Sequence, residues 1–174
     1  MLIHRIAAIL LLSISAAALA NHEIPAMENQ RGAKPRPPKT PLAVGVTLDG
    51  DSRLWLAKVE NQRLLVSRSD DRGESFSSPI VVTPEPEDIS ADGENRPKIA
   101  VTRDGTVLLS WTQTLPQRHS GNIRFARSTD SGQTFSIPIT LNDDGHITSH
   151  RFDALAINGA GKVAVAWLDA RDRD

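Results

Sequence analysis

The chain has 174 residues, with 20 Lys+Arg against 21 Asp+Glu, a formal net charge of −1, 39% hydrophobic residues and no cysteine. That balance lacks the basic excess on which nucleic-acid binding rests. Without cysteine, disulfides and thiolate metal sites are excluded, so packing and strand pairing must hold the fold.

The first twenty residues stand apart from the rest. Met1 to Arg5 carries positive charge, Ile6 to Ile14 is almost unbroken apolar sequence, and Ala18-Leu19-Ala20 offers a small-x-small cleavage site. Residues 1–20 therefore read as a secretory signal peptide, too short for a comfortable span. This predicts export to a bacterial periplasm or the cell exterior, with no membrane span left after removal. Residues 21–41 follow as a linker, in which Pro25, Pro35, Pro37, Pro38 and Pro41 alternate with Lys34, Arg36 and Lys39. Proline at that density removes backbone donors and favours extended structure, and the basic residues read as a solvated spacer.

Over residues 42–174 the apolar period is two, and no window supports a long amphipathic helix. A first unit is predicted with strands near Ala43 to Thr47, Arg53 to Val59, Arg63 to Ser69 and Ile80 to Val82, with a turn at Asp49-Gly50-Asp51. Between the last two strands lies the octet Ser69-Asp70-Asp71-Arg72-Gly73-Glu74-Ser75-Phe76. Thr83 to Asn95 is an acidic, proline-containing connection.

A second unit repeats the plan: Lys98 to Thr102, a turn at Asp104-Gly105, Thr106 to Gln113, Asn122 to Ser128 and Ile137 to Leu141. Its octet is Ser128-Thr129-Asp130-Ser131-Gly132-Gln133-Thr134-Phe135. A third unit opens with Asp153 to Ile157, a turn at Asn158 to Gly161, and Lys162 to Leu168. The spacing of Trp111 and Trp167 agrees with that of the two octets, which marks an internal repeat of supersecondary units.

Each octet position has a turn-making task. The Asp carboxylate can accept from backbone N–H groups that the turn leaves free, and the Gly two residues later can take positive φ without a Cβ clash. The closing Phe returns the chain to a strand and is expected to bury its ring between layers.

The pattern S-x-D-x-G-x-S/T-F/W resembles the Asp-box, or BNR repeat, of sialidases and related β-propellers. The resemblance implies an all-β fold of radial, four-stranded antiparallel blades, with each Asp-box joining the third and fourth strands away from the active site. Ser69, Asp71, Gly73, Ser75 and Phe76, and likewise Ser128, Asp130, Gly132, Thr134 and Phe135, are thus expected to be structural. About two and a half blades are present, whereas a ring needs ~4 to 8. The expectation is a truncated partial propeller, with the remaining blades on a longer chain.

Candidate binding residues also come from the resemblance. Arg151-Phe152-Asp153-Ala154-Leu155-Ala156 is similar to the sialidase R-I-P-A-L-A segment, whose Arg opens an innermost strand and grips the sialic acid carboxylate. A guanidinium suits this because its planar fork holds a carboxylate bidentately. Phe152 and Asp153 depart from the pattern. In a regular strand Asp153 lies on the same face as Arg151, where it can pair with Arg151 or serve as a ligand itself. Arg96 occupies the corresponding place in the second unit, either towards the channel or paired with the acidic loop before it. Leu168-Asp169-Ala170-Arg171 resembles a sialidase segment with a further charged pair, which makes Arg171 a fourth candidate.

The retaining sialidase mechanism needs a Tyr nucleophile, and the chain has no Tyr. The chain alone is expected not to cleave sialosides. No cofactor is expected. No metal is expected either: His119, His146 and His150 fall in different loops, and the acidic runs, including Asp143-Asp144-Gly145, lack EF-hand order. Two functions stay open: the amino-terminal part of an exported exo-acting glycoside hydrolase for sialic acid or a related sugar, or a non-catalytic glycan- or protein-binding propeller of the cell envelope.

Overall fold

The computed structural model describes residues 41–172, so the signal-peptide assignment and almost all of the linker lie outside the described residues. The described unit is all-β. One blade comprises β1 (Gly45–Leu48), β2 (Leu54–Glu60), β3 (Arg63–Ser69) and β4 (Ile80–Val81), paired antiparallel in that order. The next comprises β5 (Lys98–Val101), β6 (Val107–Thr114), β7 (Gly121–Ser128) and β8 (Ile139–Thr140) in the same order. A two-stranded sheet, β9 (His150–Ile157) with β10 (Val163–Asp169), follows. A single 3₁₀ turn, Gly93–Asn95, precedes β5 and is the sole helical element among the described residues.

Strand β6 explains how the sheets stack. Its side chains alternate, so Val107, Leu109 and Trp111 enter a core shared with Trp55, Ala57, Leu64 and Val66 of the first blade. Leu108 turns the other way, into a core with Ile123, Phe125 and Val165. A strand buried on both faces is what consecutive blades packed face to face require. Each fully buried Leu, Val or Ile contributes about 1.5 to 3 kcal/mol. The buried indoles keep a polar partner: Trp55 Nε1 donates to Asp49 at 2.9 Å and Trp111 Nε1 to Glu87 at 3.1 Å.

Both octets sit between the third and fourth strands of their blades, and their hydrogen bonds superpose atom for atom. The Ser69 hydroxyl donates to Asp71 Oδ1 at 2.7 Å and accepts from the Gly73 N–H at 2.7 Å. Asp71 Oδ1 also accepts from the Ser75 N–H at 2.9 Å. In the second copy Ser128 donates to Asp130 at 2.6 Å, Gly132 N–H to Ser128 Oγ at 2.8 Å and Thr134 N–H to Asp130 at 2.9 Å. Two successive left-handed residues close each turn: Arg72 and Gly73 at φ 63° and 94°, Ser131 and Gly132 at 57° and 81°.

The second turn also joins the blades. A Cβ on Gly132 would lie 2.7 Å from Trp55 Cζ3, so the glycine backbone rests against the indole of the preceding blade. Phe135 packs against the same core. Phe76 departs from the expectation that both rings are buried: it is 42% exposed. Its counterpart is covered by the blade before it, and among the described residues no sheet precedes the first blade.

The hydroxyl of Ser75 and that of Ser128, followed by the other turn donors, hold Asp71 and Asp130 at pKa values of about 2. A depressed carboxylate stabilises the fold above its unfolded pKa of about 3.9, and that stability is lost as pH falls towards 2. Asp130→Ala is therefore expected to lower the melting temperature by several degrees at pH 7 and by progressively less as pH drops from 4 to 2. Thermal melts across that range check it, and an unchanged Tm at pH 7 would contradict the structural role.

Candidate functional site

The starts of β5 and β9 lie at one end of the blades. Buried Asn95, which ends the 3₁₀ turn, accepts from the Phe152 N–H through Oδ1 at 3.3 Å, tying the entry of β5 to β9. The ladder there is irregular. Val163 to Ala166 pair with Ile157 to Ala154, but Leu168 pairs with Arg151, so β9 carries one extra residue at a β-bulge. Phe152 supplies it, at φ 59°, a conformation that a bulky residue adopts only under external constraint.

The bulge changes what Arg151 and Asp153 can do. Asp153 is buried and turned onto the second blade, where Ser110 donates to it at 2.6 Å and Thr112 lies at 3.5 Å. Arg151 stays half-buried, its guanidinium 5.1 Å from the centre of the exposed Phe152 ring and its Nη1 3.5 Å from His119 Nδ1. The two therefore do not share a face as a regular strand would have them. Among the described residues no carboxylate pairs with Arg151, and the Asp153 carboxylate is turned to Ser110 and Thr112.

Arg96 is engaged. Its Nη1 donates to Gly93 O at 3.2 Å and lies 3.9 Å from the Glu94 carboxylate, so the pairing with the preceding acidic loop is the one realised. Lys98 Nζ donates to the carbonyls of Glu94 and Arg96 at 2.6 and 2.7 Å. Burial lowers the Lys98 pKa, with Asp153 pulling the other way.

Arg171 is more fully engaged. Its Nη2 lies 2.5 Å from Asp169 Oδ2 and its Nη1 3.2 Å from Asp143 Oδ1, and Asp169 first among these holds the Arg171 pKa above its ordinary value. Beside it, His150 is fully buried with Nδ1 2.9 Å from Gly121 O and Nε2 3.0 Å from Asp144 Oδ2. Asp169 Oδ1 is 3.5 Å from the same Nε2. Burial pushes both carboxyls up. His150 outweighs this for Asp144, and Arg171 brings Asp169 down to about 2.

This Asp144–His150–Asp169 group was not legible as a motif, because its members come from a loop, the first residue of β9 and the last of β10. The signal lay in Asp143-Asp144-Gly145 and His150, each noticed singly but not linked to Asp169. The three offer one nitrogen and carboxylate oxygens mutually within 4.8 Å, the donor set among the described residues able to hold a metal.

Two clefts flank these features. One of about 480 Å³, bounded by Leu115, Gln117, Asn142 and Gly145 to Ile147, adjoins Asp144. The larger, about 750 Å³, lies between the Thr102–Thr106 and Asn158–Lys162 turns, at the far end of β9 from Arg151. Seven residues of strand separate the two ends by roughly 20 Å.

No protein-family model matches the chain, and no curated protein matches it. Solved structures do. The GH93 alpha-L-arabinofuranosidase of Fusarium graminearum, in complex with arabinobiose, aligns with a TM-score of 0.55 at 18% identity, over 75% of this chain and 41% of that one. A xylan beta-1,4-xylosidase from Bacillus halodurans C-125 aligns at 0.50 and 17%, over 75% and 26%. The Hadza microbial sialidase Hz136 aligns at 0.43 and 20%, over 64% and 28%. The chain thus spans less than half the length of these structures. The four-stranded antiparallel blades and the likenesses at 0.50 and above identify the fold as β-propeller blades. No helix among the described residues is long and apolar enough to cross a membrane.

Burial raises the Asp153 pKa above its ordinary value, with Ser110 and Lys98 opposing. A raised folded-state pKa means that the folded chain binds the proton more tightly, so stability falls as pH rises from about 4 through the folded pKa. Asp153→Asn is expected to flatten that decline. Denaturant titrations of both forms at several pH values test this, and a pH profile parallel to that of the wild type would contradict it.

Proposed function

We propose that this chain supplies blades of an exported, glycoside-hydrolase-type propeller and binds an anionic sugar of the sialic acid class through Arg151. The observation that carries the reading is the guanidinium of Arg151 at the opening of β9, which no carboxylate among the described residues pairs and which lies half-buried, 5.1 Å from the centre of the Phe152 ring and 3.5 Å from His119 Nδ1. A planar cation held over a ring keeps its fork directed outwards, ready for a bidentate carboxylate at small entropic cost. The first residues of β9 resemble the segment in which sialidases hold the sugar carboxylate, with Phe152 and Asp153 departing from it.

The fold likeness to an arabinofuranosidase and a xylosidase supports a carbohydrate ligand in general. The carboxylate-binding chemistry of Arg151 favours an acidic sugar among carbohydrates. Arg96 and Arg171 are occupied by Glu94, Asp169 and Asp143, so they shape the rim and its field without being open ligands. These residues bind and orient. With no Tyr in the chain and Asp153 buried, they do not supply a nucleophile or an acid of the retaining mechanism.

Calorimetric titration of the full chain with N-acetylneuraminic acid and with arabinobiose tests the reading. A charge-assisted pair is worth about 1.5 to 3 kcal/mol, so Arg151→Ala should weaken the acidic sugar tenfold to a hundredfold without moving Tm. Arg151→Lys should recover only part. Equal binding by wild type and Arg151→Ala, or preference for the neutral sugar, would overturn it.

A further inference from the structure

We propose that Asp144, His150 and Asp169 form a binding site for one divalent cation of the zinc type. The argument begins at the imidazole. His150 Nδ1 faces the carbonyl of Gly121 at 2.9 Å, which fixes the proton there, so Nε2 presents its lone pair to the carboxylates of Asp144 and Asp169 at 3.0 and 3.5 Å. A lone pair facing two anions inside the fold is repulsive unless a cation stands between them, either a proton or a metal.

Three observations favour the metal. Asp144 Oδ1 is buried without a hydrogen-bond partner, on a side chain only 6% exposed. A proton on Nε2 would leave that oxygen unsatisfied, whereas a cation held by both oxygens of Asp144 would use it. The donor atoms also lie within reach of one ion, all within 4.8 Å of one another, and bonds of about 2.0 to 2.2 Å at tetrahedral angles need ligand atoms roughly 3.3 to 3.6 Å apart, so the 3.0 Å contact with Asp144 would lengthen slightly on binding. Finally, the carboxylates of Asp144 and Asp169 both face the guanidinium of Arg171, two negative charges to one positive, which favours a dication between them.

The surroundings are those of a supported ligand set. Gly121 O orients the imidazole, and Asp169 is itself held by the Arg171 N–H at 3.0 Å and Trp167 Nε1 at 3.2 Å. A mixed nitrogen and oxygen donor set selects zinc-type cations over calcium, which takes oxygen alone.

The test is titration of the EDTA-treated full chain with ZnCl2, MnCl2 and CaCl2 by calorimetry, with Tm followed in parallel. One zinc per chain is expected, with a raised Tm, weaker manganese and no calcium response. Asp169→Asn and Asp144→Asn should each weaken zinc at least tenfold. His150→Gln should abolish binding, and because its ring is buried the two Asp variants stand if it fails to fold. No saturable zinc binding by the folded wild type, zinc binding untouched by either Asp variant, or preference for calcium would overturn the proposal. The first of these would leave His150 as a structural side chain held by Gly121, Asp144 and Asp169.

Discussion

The contact of Gly132 with the Trp55 indole is the constraint on which the placement of the blades depends. It exists because Asp130 gathers the Ser128 hydroxyl and the Thr134 N–H around one carboxylate, forcing Ser131 and Gly132 into left-handed backbone. Only a residue without Cβ can then come this close to the ring. Trp55 is itself fixed by its bond to Asp49 and by Arg68, whose guanidinium carbon lies 5.7 Å from the ring centre. A turn that is local in sequence thereby becomes a joint between sheets.

From that joint the rest of the architecture follows. With the first and second blades registered, β6 has both faces covered and can pass its alternate side chains to either neighbour. Its Ser110 and Thr112 then meet Asp153, and Gly121 of β7 meets His150. These polar contacts hold β9 in place, and the bulge at Phe152 absorbs the mismatch between two buried anchors three residues apart. Arg151 is left half-buried as a result, while His150 and Asp153 on either side of the bulge are committed to the second blade.

Much of this was legible in the sequence, and the part that was not has a physical reason. Alternating hydrophobicity located the ten strands among the described residues to within a few residues, and the two octets identified the third-to-fourth strand turns. The relation between Arg151 and Asp153 was misread because strand alternation holds only for a regular ladder. Nothing in the residues announces a bulge until the pairing of Leu168 with Arg151 is known. Phe76 was assigned a buried ring on the pattern it shares with Phe135, but the burial of that ring belongs to the neighbouring sheet, not to the octet. The Asp144–His150–Asp169 group was invisible for a related reason, since three distant segments meet there only once the blades have stacked.

The most direct test of the blade joint compares Gly132→Ala with Gly73→Ala. Both glycines hold positive φ in equivalent turns, so the backbone strain of adding Cβ largely cancels between them. They differ in what the methyl meets: Trp55 at 2.7 Å for Gly132, but only Leu54 Cδ2 at 3.4 Å for Gly73. Overpacking of a fixed ring costs about 1 to 3 kcal/mol. Chemical denaturation of the two variants should therefore find Gly132→Ala less stable than Gly73→Ala by about that amount. Equal losses would mean that the turn does not brace the preceding blade, and the joint would have to be sought elsewhere in the core.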